Sequence, residues 1–316
     1  MTDSDALTPV RPVTRHVRVP GARLTYDVRG QLSPFATPLV LVGSPMDASG
    51  FGTLARHFPD RVVVTYDPRN TGRSQRDDPT AEVDAVEHAD DLHAVLADLG
   101  SGPVDLFASS GGAVNALALV ARHPDDLSTL VAHEPPLTHA VPDAAAVAAV
   151  IDDMYATYCR VGLGPAMAKF IRFVMHRGLV AADYLAQPAP DPAAFGLPVE
   201  DDGSRNDPLM LNLRGGCHHR LDVEAIRAAP TRVVVAAGLE SGGRSDGEFA
   251  CRAAYGLAAQ LGTDVVPFPG GHAGFLGGEF GQTGKPDEFA AHLRAVLGSV
   301  DARGRAGTSA MPGQPR

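Results

Sequence analysis

Apolar positions along the chain change period several times, and each change predicts an element. Residues 13–19 and 22–28 alternate apolar and polar, which predicts two strands turned by Pro20-Gly21. Residues 38–42 and 61–66 are continuous apolar runs, the pattern of strands buried on both faces. A short helix is expected over 51–57 and a long amphipathic one, acidic on its outer face, over 81–99. Residues 104–108 form another apolar strand. After a tight turn through Ser109, Ser110, Gly111 and Gly112, the apolar residues Val114, Leu117, Leu119 and Val120 recur at helical spacing. Residues 127–132 are the next strand, ending at His133-Glu134-Pro135-Pro136.

The pattern then breaks. Residues 143–176 predict two helices split near residues 162–164, residues 181–208 are rich in Pro, Asp and Ala, and 208–228 is partly helical. Strand–helix alternation resumes with a strand at 231–237, a helix at 247–261, a strand at 264–268 and a helix at 287–297. The expected organisation is therefore an α/β core over 13–137 and 229–298, interrupted by a helical cap over 138–228. A flexible start (1–12) and a disordered tail (299–316) flank it. Alternation of this kind implies a mostly parallel central sheet flanked by helices, with its site at the carboxyl ends of the strands.

Composition narrows the function classes. With 44% hydrophobic and 20% charged residues the chain can bury a large core. A formal charge of −10 argues against nucleic acid or an anionic membrane as partner and leaves a small-molecule substrate. No segment reaches transmembrane length, and the polar, acidic start lacks the apolar core of a signal peptide. Cys159, Cys217 and Cys251 show no metal-binding spacing and read as free thiols of a cytoplasmic protein. No cofactor or metal is expected; a homodimer is left open.

The turn at Ser110 carries the chemistry. Strand, sharp turn and helix with a serine at the apex is the geometry of a nucleophile elbow. The strained apex requires small residues two positions before and after, here Ala108 and Gly112. Ser109 is the rival, but Phe107 stands two residues before it. The N–H of Gly111, at the helix start, can face a developing oxyanion. No Gly-Lys-Ser/Thr follows, which argues against a nucleotide P-loop.

With Gly43-Ser44-Pro45, Asp67-Pro68-Arg69-Asn70-Thr71-Gly72-Arg73-Ser74, the elbow Ala108-Ser109-Ser110-Gly111-Gly112 and Gly270-Gly271-His272-Ala273-Gly274-Phe275 in this order, the chain resembles the α/β-hydrolase superfamily over residues 14–298. It looks most like bacterial serine hydrolases with a helical cap. The resemblance implies His272 as general base, on a glycine-flanked loop after a strand, and the N–H of Ser44 as a second oxyanion donor beside Gly111. The triad order on this fold places an acid between Ser110 and His272. Glu134 and Glu240 both stand at strand ends, and Glu134 is preferred: the family's commonest acid position is occupied here by Ser241, and Glu240 is one residue short of it.

Arg69 is expected to pair with Asp67 or nearby carbonyls, and Asn70 replaces a usual glycine in a left-handed turn. Met154, Tyr155, Tyr158, Met167, Phe170, Phe173 and Met175 are expected to pack the cap, some lining the substrate pocket. His218 and His219 read as cap surface or pocket rim rather than metal ligands.

The expected function is hydrolysis of an ester, lactone or related carbonyl through an acyl-enzyme on Ser110. The alternatives are acyl transfer or carbon–carbon cleavage by the same triad, or a non-catalytic small-molecule-binding protein on this scaffold. Epoxide hydrolase and haloalkane dehalogenase chemistry is disfavoured because their nucleophile would be Asp.

Overall fold

A computed structural model describes residues 11–299. The flexible start and disordered tail fall almost wholly on residues 1–10 and 300–316, outside the described residues. The element order is β1 (Val13–Val19), β2 (Ala22–Arg29), β3 (Leu39–Val42), α1 (Gly52–Arg56), β4 (Val63–Asp67), β5 (Gln75–Arg76), α2 (Ala85–Leu99), β6 (Val104–Ser109), α3 (Gly111–Arg122) and β7 (Leu127–His133). Then follow α4 (Ala144–Val161), α5 (Leu163–Val174), α6 (Pro208–Cys217), α7 (Val223–Ala228), β8 (Arg232–Gly238), α8 (Phe249–Leu261), β9 (Val266–Phe268) and α9 (Pro286–Gly298).

The strands form one sheet in the order β1-β2-β4-β3-β6-β7-β8-β9, with β5 paired to β2. From β4 to β9 every ladder is parallel; β1, β2 and β5 are joined by antiparallel ladders. The continuous apolar runs of β3, β4 and β6 are buried at every residue, because helices cover both faces. One apolar layer joins the sheet to α2, α3, α8 and the helices after β7. The other lies under α1 and α9 and centres on Phe51, Phe107, Phe268, Phe275 and Phe289.

Between β7 and β8 the described residues hold α4–α7 and no strand. Helix α4 packs on α5 and α6, and α6 and α7 rest on α3. Among the described residues no helix is long and apolar enough to cross a membrane, and all three cysteines are unpaired.

Two local readings are corrected, and one short strand was not anticipated. Helix α2 begins at Ala85 rather than residue 81, because the Asp84 carboxylate accepts the Glu87 N–H at 2.8 Å and caps it there. The preceding residue is held outside the helix by the Val83 N–H to Leu211 carbonyl bond. The two-residue strand β5 is too short to leave a periodicity. Arg69 does not pair with Asp67: its guanidinium binds Asp91 (Nε–Oδ2 2.6 Å) and Glu87 on α2, while Arg73 takes Asp67 (2.7 Å) and Asp27. Arg69 thus ties the loop after β4 to α2. Asn70 has φ 62°, as its left-handed turn requires.

The elbow is pressed against the loop after β3. A Cβ at Gly112 would lie 2.8 Å from the Val42 carbonyl oxygen and 2.9 Å from the Gly43 backbone, so only glycine fits without a shift. Gly112→Ala should therefore lower stability by about 1–3 kcal/mol. Gly216→Ala, at a helical site with nothing within 4 Å, should not. Urea unfolding of both variants checks this; a Gly112→Ala protein as stable as wild type would contradict it.

Candidate active site

Strand β6 ends at Ser109, and the chain reverses at Ser110 with φ 58° and ψ −132° before α3 begins. A left-handed φ costs a non-glycine residue about 1–2 kcal/mol. Here it is held by the Ser110 N–H bonded to the His133 carbonyl (3.0 Å) and by the close approach of the glycines that follow. The two serines separate cleanly. Ser109 is buried, its Oγ 3.4 Å from His133 Nδ1 beneath the sheet end. Ser110 opens into a cavity of about 410 Å³.

Strand β7 ends in His133, and Glu134 follows with φ 49°. Its N–H bonds the Ala236 carbonyl of β8 at 2.9 Å, which fixes the turn that aims its side chain. The carboxylate is fully buried and doubly held: Oε1 accepts the Gly238 N–H at 2.8 Å, and Oε2 lies 2.5 Å from His272 Nδ1. His272 reaches that position because a Cβ at Gly238 would lie 2.7 Å from Gly271; the end of β8 and the glycine loop after β9 touch through their backbones.

Glu240, the alternative acid, is turned outward. Its side chain is more than half exposed and pairs with Lys285 at 2.7 Å, while its N–H bonds the Gly270 carbonyl. Ser241, in the position the family's usual acid would take, is buried beside the Glu134 carboxylate.

Electrostatics follow from burial. Desolvation pushes Glu134 upward, but the hydrogen bond and charge of His272, with His133 adding, pull it down to about 2. Desolvation lowers His272, yet the hydrogen bond and charge of Glu134 raise it net, with Glu248 adding. His133 is boxed in by Phe107, Phe268, Phe275 and Phe289, and burial drives it down to about 4, so it stays neutral.

The backbone N–H groups of Ser44 and Gly111 sit where two loops meet. A Cβ at Gly111 would lie 2.7 Å from the Ser44 carbonyl oxygen. Neither N–H is engaged in a hydrogen bond among the described residues, and both residues line the cavity with Ser110 and His272. No hydrogen bond joins the Ser110 hydroxyl to His272; they share the cavity wall. In unliganded sites such bonds are often long and tighten with substrate.

The cavity is mostly apolar, with Phe170, Phe173, Met175 and Leu209 on the helical side. Met154 and Tyr158 of the same sequence stripe are instead buried in helix packing. His218 pairs with Asp152 at 3.1 Å, away from this cavity. Sequence reasoning missed His88, Asn115, Asn212 and Glu248, which also line it. They lie on separate helices or at their ends and share no motif, so no local signal could have found them.

The comparisons agree with this architecture. A family model described as the alpha/beta hydrolase fold matches residues 42–156. The chain has the α/β-hydrolase fold, and the matched family model supports its place in that superfamily. It is 28% identical over 269 residues to the uncharacterized hydrolase YraK of Bacillus subtilis (strain 168), covering 82% of this chain and 89% of that protein. The enol-lactonase of Burkholderia xenovorans LB400 superposes with a TM-score of 0.61 at 17% identity, covering 90% of this chain and all of that one (100%). A thermophilic esterase from Thermogutta terrifontis gives 0.60 at 18% identity, covering 91% of this chain and 98% of the other. At these identities the structures share the fold.

Because its pKa is raised, His272 should titrate above about 6.5, the ordinary histidine value, and fall in Glu134→Gln. The contribution of His272 to stability is then complete below the unfolded histidine value and lost as pH rises through the folded one, while that of Glu134 is lost at the acid end, as pH falls through its folded value of about 2. Histidine-resolved NMR titration of both proteins measures this; an unchanged His272 pKa in Glu134→Gln would break the argument.

Proposed function

We propose that this protein is a serine hydrolase that cleaves an ester, lactone or related carbonyl bond through an acyl-enzyme on Ser110. The observation that carries this reading is the fully buried Glu134 carboxylate 2.5 Å from His272 Nδ1, on the cavity into which the elbow serine opens. A buried anion bonded to one ring nitrogen fixes the imidazole tautomer: Nδ1 keeps its proton and Nε2 presents a lone pair.

In this mechanism Nε2 takes the Ser110 proton as Oγ bonds to the substrate carbonyl carbon. The oxyanion that forms is met by the N–H groups of Ser44 and Gly111. Collapse breaks the bond to the alcohol oxygen, which leaves with the proton held by Nε2. Water then attacks the acyl-enzyme, gives one proton to Nε2, and releases the acid as Ser110 recovers its hydrogen. Glu134 stays ionised throughout and steadies the imidazolium. The helices between β7 and β8 act as a cap that supplies the apolar wall. Serine at the elbow, rather than aspartate, supports acyl chemistry over epoxide opening. The neighbours named as an enol-lactonase and an esterase share only the fold, so they leave ester against lactone to experiment.

Ser110→Ala should reduce hydrolysis of p-nitrophenyl esters by at least about ten-thousand-fold and abolish fluorophosphonate labelling, while Ser109→Ala keeps a measurable rate. An active Ser110→Ala enzyme would overturn the assignment. Glu134→Gln should lose about a thousandfold or more in kcat, with Glu240→Gln near wild type. The reverse ranking would move the acid to Glu240.

A further inference from the structure

The reaction machinery leaves one part of the cavity unexplained. Asn115 lies on α3, five positions beyond Ser110, and is 3% exposed. Its side chain lines the cavity and makes no hydrogen bond among the described residues. An amide with free donors and acceptor in an otherwise apolar wall loses free energy unless something bonds to it. Across from it, α6 packs on α3 and brings Asn212 to the same cavity.

Asn212 is oriented. Its Nδ2 donates to the Pro208 carbonyl at 2.6 Å, and its Oδ1 accepts from His88 Nε2 at 2.5 Å. Burial pushes the His88 pKa down to about 4 and keeps it neutral; because Asn212 Oδ1 can only accept, Nε2 carries the ring proton. With one lone pair of Oδ1 and one amide hydrogen taken, Asn212 has one N–H and one acceptor position left over. Asn115 adds two more N–H donors. This amide patch of the wall is therefore uncharged and offers N–H donors beside its own acceptor oxygens.

Charge completes the description. Neither Lys nor Arg lines this cavity among the described residues, and the carboxylate of Glu248 does. Arg177 reaches one Glu248 oxygen at 3.1 Å but lies outside the wall and is itself half exposed. A carboxylate-bearing substrate would lose its water without gaining a Lys or Arg partner and would meet Glu248 as a like charge.

Resting on the serine-hydrolase reading, we infer that Asn115, with Asn212 positioned by His88, forms a neutral recognition site for a second oxygen acceptor on the substrate. The substrate class is an uncharged, mainly apolar ester or lactone bearing a ketone, ether or amide oxygen away from the scissile carbonyl. Asn115 contacts that oxygen directly. His88 is a positioning residue that acts through Asn212.

The test uses four fluorophosphonates of equal chain length, ending in a methyl group, a methyl ketone, a carboxylate or an ammonium, with Ser110 labelling rates as readout. The ketone probe should react about fivefold to tenfold faster than the methyl probe, the range of one neutral hydrogen bond. The carboxylate probe should be the slowest. In Asn115→Leu the ketone-to-methyl ratio should collapse to about one, whatever the absolute rates. A methyl, carboxylate or ammonium probe reacting fastest with wild type would overturn the inference without touching the nucleophile assignment. A ketone preference that survives Asn115→Leu would overturn the role of Asn115. No labelling of Ser110 by any probe would instead overturn the serine-hydrolase reading, and this inference with it. The wild-type comparison stands alone if Asn115→Leu does not fold.

Discussion

A carboxylate with no exposed surface constrains this molecule more than any other group. Glu134 is held as an anion by two partners, the Gly238 N–H and the His272 ring. An unpaired buried charge would be strongly destabilising, so the two must be delivered together. That requirement couples the ends of β7, β8 and β9. Gly238 and Gly271 touch through their backbones, because a side chain at Gly238 would push the His272 loop away from the acid. The packing that satisfies the carboxylate also aims the imidazole into the cavity.

Strain is concentrated where this aiming occurs. Of the four non-glycine residues with left-handed φ among the described residues, Ser110 and Glu134 belong to the candidate triad. Left-handed backbone outside glycine persists when its surroundings over-determine it. At Ser110 the His133 carbonyl and the tight glycines do so; at Glu134 the Ala236 carbonyl does. Both holding bonds run between β6, β7 and β8, so the sheet that forms the core also stores the strain of the site. His133 shares in this by its backbone, while its ring fills an aromatic box as a neutral group.

The cavity has a different logic. Its reactive end is built from loops at the carboxyl edge of the sheet, and its far walls come from α2, α3, α5 and α6. The His88–Asn212 bond, the Val83–Leu211 backbone bond and the Arg214–Glu82 pair all fasten α6 to the start of α2. The helical segment is thus held to the core at the same place where it contributes polar groups to the cavity. The reactive groups stand on strand-end loops, and the amide groups of the far wall stand on helices packed around them.

The alternation of strand and helix, the elbow and the glycine-flanked His272 were legible in the sequence because each is a local pattern. Small residues around Ser110 and continuous apolar strands follow from backbone geometry within a few residues. The choice between Glu134 and Glu240 as partner of His272 was not local in that sense. It rested on one residue of register; in the structure a left-handed turn brings Glu134 to His272, while Glu240 pairs with Lys285. The partner of Arg69 was misread for the same reason: Asp67 is two residues away, but Asp91 on α2 is nearer in space. His88, Asn115 and Asn212 left no trace in the pattern, since they meet only after three helices pack. Sequence by itself determined which elements form and which serine stands at the apex, because those depend on short-range sterics and on periodic burial. Tertiary structure decided which charges pair and what the cavity presents to a ligand, because those depend on contacts between residues far apart in the chain.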